Sequence, residues 1–336
     1  MPAADLPLPF ALPPAQPLPP SDRGPDAAVP HLILPYAAAE NAPAVATPQL
    51  DALLAWLAEV RRDGAEYDFP IPPHERAVAE VFGLDARAPA WAAVDAPVDA
   101  TAHAPHAWLT PCHLHAGADQ VRLDDPAQLQ LTLADAQALC AILAPWWAED
   151  GLTLQVLTPL LWRVSGAPLA GLRTASLDRV LLRDASLWLP QTQPFQRLHS
   201  EAQMLLYNHP FNDAREARGL PPVNGFWLHG AGGLTQAPTP ASTPAQCAAP
   251  RHITFVDNLR QTALRQDWAA WQQAWQQAEA GPIAALLAHV RAGGQATLTL
   301  CGEAQALHFK RARSALLQRF QGLFNKKSFN HLRNQL

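Results

Sequence analysis

The apolar residues of this chain follow two periods, one of about 3.6 residues and one of 2, which are typical of helices and strands. Apolar runs that suit strands recur at 31–35, 108–113, 120–123, 152–157, 160–164, 226–228, 253–256 and 297–301. Amphipathic stretches that suit helices lie at 48–60, 73–82, 133–150, 195–208, 267–279, 283–292 and 305–324. Strands and helices that alternate in this way predict an α/β protein with a sheet covered by helices on both faces.

Local sequence signals support several of these element ends. Thr47 before Pro48 suits an N-cap followed by the first helical position, where a missing backbone donor costs nothing. Thr132 and Asp135 have the spacing of a capping box at the start of the helix that follows. Gly151 suits the end of that helix, and the two apolar runs after it predict a β-hairpin.

The composition narrows the class of protein. The 336 residues suffice for one large or two modest domains. Only 16% of residues are charged and the net charge is −5, so no nucleic-acid partner is expected. No apolar run reaches the roughly 20 residues of a membrane-spanning helix, so no membrane partner is expected either. Four scattered cysteines and the lack of a signal-peptide pattern favour reduced thiols in a cytoplasm, and the abundance of Ala, Pro, Arg and Trp favours a bacterial source.

Two stretches have the composition of unfolded segments. Residues 1–30 contain ten prolines, which remove backbone donors and favour extended backbone, and they predict a disordered leader. Residues 235–250 are rich in Pro, Thr and Ala and predict a flexible surface loop.

The most distinctive segment of the chain is 209–230, which reads HPFNDAREARGLPPVNGFWLHG. It resembles the HPxN-containing segment of archaeal-type cofactor-independent phosphoglycerate mutases, members of the alkaline phosphatase superfamily. Together with the phrase TASLDRV at 174–180, it is more similar still to the bacterial RpfE-type regulatory proteins. The resemblance implies an α/β fold with an alkaline phosphatase-like core at 31–105 and 191–336, and a smaller inserted α+β domain at 106–190.

The metal ligands that this superfamily uses are missing at the expected places. The first strand in the family ends in Asp-Gly and a late strand ends in Asp-His, whereas here they are followed by Pro35-Tyr36 and by Gly302-Glu303. The ligand stretch between them has Asp257 and Asp267 but no nearby His. A dimetal centre needs about six such side chains. We therefore expect a non-catalytic regulatory or ligand-binding protein without catalytic residues or a cofactor.

Two other functions stay open at this point. One is an active metal-dependent phosphoglycerate mutase or phosphatase that holds two divalent ions, Mn or Zn, with displaced ligands. The other is a protein-interaction scaffold. The region 308–336 has seven Lys or Arg and no Asp or Glu, and its helical spacing predicts a basic C-terminal helix that could dock a protein partner.

A set of donor-rich side chains could bind an anion such as a phosphorylated small molecule. The candidates are Asn212, Arg215, Asn224, Arg179 and Arg163, since guanidinium groups suit phosphate and carboxylate. Pro210 predicts a short helix that projects Asn212 and Arg215 to one side. The competing interpretation is that Asn212, Arg215 and Asn224 hold the loop 219–224 to this helix, and that acidic neighbours pair with the other arginines.

The strongest remaining metal-like pattern is His113 and His115, followed by Asp119. Residues two apart on a strand point to the same face, so two imidazoles and a carboxylate could hold zinc with an open position. The alternative, which we favour from the sequence, is a polar strand end whose imidazoles bond to backbone groups.

Overall fold

The structure is a computed structural model that describes residues 5–7, 29–64, 69–96, 104–117, 120–189, 192–233, 253–311 and 328–336. The chain divides into two compact units. We call Met1–Ala11 with Leu84–Cys247 the four-stranded unit, and Leu12–Gly83 with Ala248–Leu336 the five-stranded unit. The predicted flexible loop 235–250 lies outside the described residues, as does most of the predicted leader 1–30, in which Leu6 is buried.

The described residues form the following strands and helices. The strands are β1 (His31–Leu34), β2 (Leu57–Gly64), β3 (His106–Cys112), β4 (Leu114–Ala116), β5 (Val121–Leu123), β6 (Thr153–Thr158), β7 (Leu161–Ser165), β8 (Gly225–Gly232), β9 (Ile253–Phe255), β10 (Thr297–Cys301) and β11 (Gln305–Arg311). The helices are α1 (Pro48–Leu54), α2 (Pro73–Val81), α3 (Trp91–Val94), α4 (Leu133–Glu149), α5 (Leu177–Val180), α6 (Gln193–Tyr207), α7 (Pro210–Glu216), α8 (Asp257–Leu264), α9 (Trp268–Ala278), α10 (Ala284–Arg291) and α11 (Phe329–Arg333).

The five-stranded unit is built on a mixed sheet of order β2-β11-β10-β1-β9. Strands β10, β1 and β9 are parallel, and β11 and β2 add to one side in antiparallel pairing. All four residues of β1 are buried, as expected for a central parallel strand. On α9, Trp271 and Trp275 are buried and meet edge to face at 6.0 Å, so the tryptophans at helical spacing form part of the core.

The four-stranded unit has an antiparallel sheet of order β6-β7-β3-β8 and a separate β4-β5 ribbon. The predicted hairpin forms, as β6 and β7. The predicted capping box starts α4, because Thr132 accepts from the backbone of Asp135 and the Asp135 carboxylate accepts from the backbone of Thr132. Helix α4 packs its buried face, which includes Leu139 and Leu143, against this sheet.

The α/β class predicted from the sequence is confirmed, while two predicted helices differ from the structure. The helix predicted through Val60 ends at Leu54, and β2 begins at Leu57. The helix predicted at 305–324 is wrong at its start, because Gln305–Arg311 forms β11; residues 312–327 lie outside the described part. Pairing with β10 on one side and β2 on the other fixes β11 as a strand. The pairing with β2 is distant along the chain, and local periodicity cannot report it.

The two compact units do not coincide with the predicted domain limits, which stay a prediction. The sequence placed the inserted domain at 106–190, whereas the four-stranded unit takes in Leu84–Cys247. The reason is local pairing and packing: β8 hydrogen-bonds to β3, α3 packs on both of these strands, and α6 packs on β8.

Within the described residues, no helix has the length and hydropathy needed to cross a bilayer.

Candidate ligand-binding site

The short helix predicted at Pro210 is present as α7 and starts the 209–230 segment. Pro210 occupies its first turn, and His209 caps it by accepting from the backbone N–H of Phe211 at 3.1 Å. Proline is tolerated there because the first turn has no internal partner for its missing donor. The helix carries two of the predicted site residues, Asn212 and Arg215, and both are buried.

Asn212 uses its whole amide to hold the loop that follows the helix. Its Nδ2 donates to the carbonyl oxygens of Leu206 at 2.8 Å and Val223 at 2.9 Å, and its Oδ1 accepts from the N–H of Val223 at 3.0 Å. The side chain therefore imitates a strand partner for Val223. These contacts match the structural interpretation, in which Asn212 fastens the loop to the helix.

Arg215 also contacts the backbone of this loop. Its Nε donates to the carbonyl of Pro221 at 3.0 Å, its Nη2 donates to the carbonyl of Leu129, and its guanidinium lies 5.8 Å from the Phe211 ring centroid. Burial lowers the pKa of Arg215, and the nearby carboxylate of Asp135 opposes that shift. Its Nη1 is buried and has no hydrogen-bond partner in the described part of the chain.

Asn224 ties the end of the loop to the ribbon formed by β4 and β5. Its Oδ1 accepts from the N–H of Leu114 at 2.6 Å, and its Nδ2 donates to the carbonyl of Leu114 at 2.9 Å. The three predicted residues Asn212, Arg215 and Asn224 thus converge on one loop. Their role in binding an anion stays a prediction.

The other two predicted arginines are placed elsewhere in the four-stranded unit. Arg163 on β7 is buried, donates to the Asp95 carboxylate at 3.2 Å and to its carbonyl at 2.7 Å, and lies over the Trp108 ring at 5.3 Å. Arg179 is buried on α5. Arg163 therefore has the acidic partner that the structural alternative requires, although the partner is Asp95.

The four-stranded unit contains a pocket lined by residues of α4, α6 and β8. Its wall is largely aromatic, with Trp147, Trp188, Phe195, Phe226 and Trp227. Polar groups are few and come from Arg173, Thr174 and His199. The exposed guanidinium of Arg173 and the half-buried imidazole of His199 face a mainly apolar space.

Several of the pocket's polar groups have defined partners or electrostatics. The Oγ1 of Thr174 accepts from the N–H of Ala231 at 3.3 Å, and the indole N–H of Trp227 donates to the carbonyl of Ala175 at 3.0 Å. Burial lowers the pKa of His199, which favours the neutral form of its imidazole. Sequence reasoning missed this pocket because its lining residues come from separate segments of the chain, in each of which the apolar ones fit ordinary core positions.

Two members of the predicted metal-like pattern, His113 and His115, lie at the β4-β5 ribbon close to a further carboxylate, Asp124. The ligand atoms of His113, His115 and Asp124 all lie within 4.8 Å of one another. Asp119, the carboxylate predicted from the sequence, lies outside the described residues. In addition, His113 Nδ1 lies 2.8 Å from the carbonyl of Pro222, as the backbone-bonded alternative expects for one imidazole.

The strand ends of the five-stranded unit offer few free carboxylates. Asp257 accepts from Arg260 at 2.9 Å and from Gln261 at 3.0 Å, and Asp267 accepts from the backbone N–H of Ala270 as the N-cap of α9. After β1, the carbonyl of Tyr36 accepts from the buried indole of Trp271 at 3.1 Å. Both acidic residues that the sequence singled out therefore have structural partners.

No protein-family model and no curated protein matches this chain. Among solved structures, it is similar to the PH0037 protein from Pyrococcus horikoshii, with 12% identity over 85% of this chain and 87% of that chain and a TM-score of 0.41. It is also similar to the cofactor-independent phosphoglycerate mutase from Thermoplasma acidophilum DSM 1728, with 10% identity over 85% of this chain and 90% of that chain and a TM-score of 0.32. Similarity at this level carries no argument about activity, and membership of the RpfE-type family stays a prediction.

Proposed function

We propose that this chain is a non-catalytic ligand-binding protein whose ligand combines an aromatic or apolar body with one anionic group. The observation that carries the proposal is the aromatic pocket of the four-stranded unit, with Arg173 at its side. Small-molecule sites are typically concave, mostly apolar and furnished with a few polar groups that fix orientation. A phosphorylated or carboxylated small molecule with a ring meets both requirements.

The polar groups of the pocket favour an anion over a cation. Its lining includes one arginine and one histidine and has no carboxylate. A guanidinium group pairs well with carboxylate and phosphate oxygens, and the imidazole N–H can add a further donor. The partly exposed side chains of Leu172, Trp188 and Leu228 supply apolar surface for the body of the ligand.

The absence of catalysis is supported by the partners of the acidic residues at the strand ends. Asp257 is held by Arg260 and Gln261, and Asp267 caps a helix. Both oxygens of Asp257 are already engaged in this way, so a metal ion would have to compete with these partners, which costs free energy. The resemblance of 209–230 to phosphomutases is compatible with this proposal, because its buried amide and guanidinium contact backbone groups of the protein.

The alternative is an active metal-dependent phosphoglycerate mutase or phosphatase, and an assay separates it from the proposal. The full chain is incubated with each phosphoglycerate in the presence of Mn²⁺ or Zn²⁺, and we expect no turnover. A rate near the typical enzyme value of about 10 per second would replace the proposal with the enzyme.

Ligand binding is tested with anilinonaphthalene sulfonate, which joins an aromatic body to one anionic group. We expect its fluorescence to rise on binding to the full chain, and Arg173→Ala to weaken the affinity about fivefold, as expected for an exposed ion pair of about 1 kcal/mol. Arg87→Ala is the matched control, since Arg87 is also exposed and is not part of the pocket wall. Displacement of the probe by phosphoglycerate or other phosphorylated metabolites then ranks natural ligands.

Two results would overturn the binding proposal. One is a wild-type chain that shows no saturable binding of the probe. The other is an equal affinity in Arg173→Ala and Arg87→Ala, which would mean that the pocket does not use its guanidinium to select an anion.

A further inference from the structure

We propose that the β4-β5 ribbon of the four-stranded unit is a zinc site formed by His113, His115 and Asp124. These residues belong neither to the aromatic pocket nor to the strand ends of the five-stranded unit. Their three ligand atoms lie within 4.8 Å of one another, which is close enough for one ion to be bound after small side-chain adjustments. Two imidazoles and a carboxylate form a common ligand set for zinc with an open fourth position.

The pairing of the ribbon explains why these three residues meet. Leu114 pairs with Leu123, and His115 pairs with Arg122, so the next pair outward places His113 opposite Asp124. The N–H of Asp124 donates to the carbonyl of His113 at 3.0 Å and continues the ladder by one step. Since side chains two apart on a strand share a face, His115 lies on the same face as His113.

The partner of His113 prepares its other nitrogen for a metal ion. Nδ1 lies 2.8 Å from the carbonyl oxygen of Pro222, which can only accept, so Nδ1 carries the proton. The lone pair is therefore on Nε2. Metal-binding histidines usually donate their second ring N–H to a carbonyl or carboxylate in this way, which fixes the tautomer and the ring orientation.

Asp124 keeps one oxygen for the metal ion. Arg122 contacts only Oδ1, from Nε at 3.0 Å and from Nη2 at 2.7 Å. A hydrogen-bonded ligating carboxylate is typical of metal sites, so Arg122 can orient Asp124 without occupying Oδ2. His113 and Asp124 are half-buried and His115 is exposed, so water or a small anion can reach the fourth position.

The test measures zinc affinity of the metal-free full chain by competition with a chromophoric chelator. We expect one zinc per chain, and a loss of affinity of at least about tenfold in His115→Ala and in Asp124→Asn, since even outer-shell changes cost 10- to 100-fold. His331→Ala is the matched control, because His331 is also exposed but lies in the other unit. Co²⁺ in place of zinc should give the visible absorption of a tetrahedral site in the wild type and a weakened band in both ligand variants.

Three outcomes would overturn the site. The wild type fails to compete with the chelator; or His115→Ala and His331→Ala bind zinc equally well; or Asp124→Asn keeps the wild-type affinity and the wild-type cobalt spectrum. A normal circular dichroism spectrum for each variant ensures that a lost site is not a lost fold.

Discussion

Two regions of the four-stranded unit differ in how their polar side chains are used. In the 209–230 segment, Asn212, Arg215 and Asn224 are largely turned inward, to backbone groups of the protein itself. Around the aromatic pocket and on the β4-β5 ribbon, by contrast, Arg173 and His115 are exposed. The first region is the more distinctive in sequence, and the second is the more open to a ligand.

The difference indicates that a segment can be distinctive in sequence because its buried polar side chains hold the fold together. A buried amide that satisfies two carbonyls and one N–H is costly to replace, because each buried polar group left without a partner costs about 1–3 kcal/mol. A segment can therefore resemble that of an enzyme family for structural reasons alone. Predictions that separate stability from binding test this interpretation.

The largest effect is expected from Asn212→Ala. The substitution leaves the carbonyl of Leu206 and both backbone groups of Val223 without their side-chain partner. We expect a loss of about 3 kcal/mol in the free energy of unfolding, seen as a fall of about 6–12 °C in the melting temperature. Asn208→Ala, at an exposed helix end, is the control and should change the melting temperature by less than about 2 °C. Equally small changes of the melting temperature in both variants would show that the Asn212 side chain does not stabilise the loop.

The next largest effect on stability is expected from Arg215→Ala, which is compared with Arg173→Ala. Arg215 is 1% exposed and donates to two backbone carbonyls, so its loss should cost about 2 kcal/mol, partly offset because a buried charge is also removed. Arg173→Ala, at an exposed position, should change stability by less than about 0.5 kcal/mol. Chemical denaturation measures both, and binding of anilinonaphthalene sulfonate should show the reverse order. Loss of probe binding in Arg215→Ala at unchanged stability would instead support the anion site predicted there from the sequence.

Gly225→Ala tests the contact between the 209–230 segment and the β4-β5 ribbon, where Gly225 packs against Leu114. A Cβ at residue 225 would lie 2.7 Å from Cδ1 and 3.0 Å from Cγ of Leu114, which is buried next to the zinc ligands. Overpacking of this kind costs about 1–2 kcal/mol when the neighbour has little room to move. The control is Gly64→Ala, where a Cβ meets nothing within 4 Å. If both variants have the same melting temperature, Leu114 adapts without cost and the contact is looser than the structure indicates.

The sequence predicts local features of this fold better than it predicts the candidate sites. The capping box of α4, the start of α7 at Pro210 and the β6-β7 hairpin depend on residues close in sequence, and all three are present. Strand β11 was predicted as helix because its identity depends on pairing with β2, far away along the chain. Contacts of this kind leave no mark in the local pattern.

Asp124, the third ligand of the proposed zinc site, could have been identified from the sequence together with the pairing of the ribbon. The sequence drew attention to Asp119 because it follows the HxH pattern most closely. Asp119 lies outside the described residues, whereas the ribbon bonds the backbone N–H of Gly117 to the carbonyl of Gln120 at 2.8 Å and places Asp124 opposite His113. Counting the antiparallel register outward from that turn would have identified Asp124. For the aromatic pocket no such count exists, since its wall combines α4, α6, β8 and the segment around Arg173.

The smallest expected effect is the pH dependence of the pocket. Burial holds the pKa of His199 below its usual value of about 6.5, so the folded chain binds this proton less readily than the unfolded chain does. The contribution of His199 to stability is therefore present above about pH 6.5 and is lost as the pH falls towards its folded-state pKa. The affinity for an anion should rise as the pH falls, because a protonated His199 imidazole adds positive charge to the pocket that Arg173 also lines.

We expect the affinity for anilinonaphthalene sulfonate to rise by at most about fivefold between about pH 7.5 and about pH 5, while the melting temperature falls. In His199→Asn, both trends should flatten, because the titrating group has been removed from the pocket. His331→Asn, which replaces an exposed histidine of the five-stranded unit, should keep both. If the affinity of the wild type does not depend on pH, the imidazole of His199 does not contribute to anion binding, and Arg173 alone selects the anion. If the pH dependence persists in His199→Asn, the titrating group is another residue.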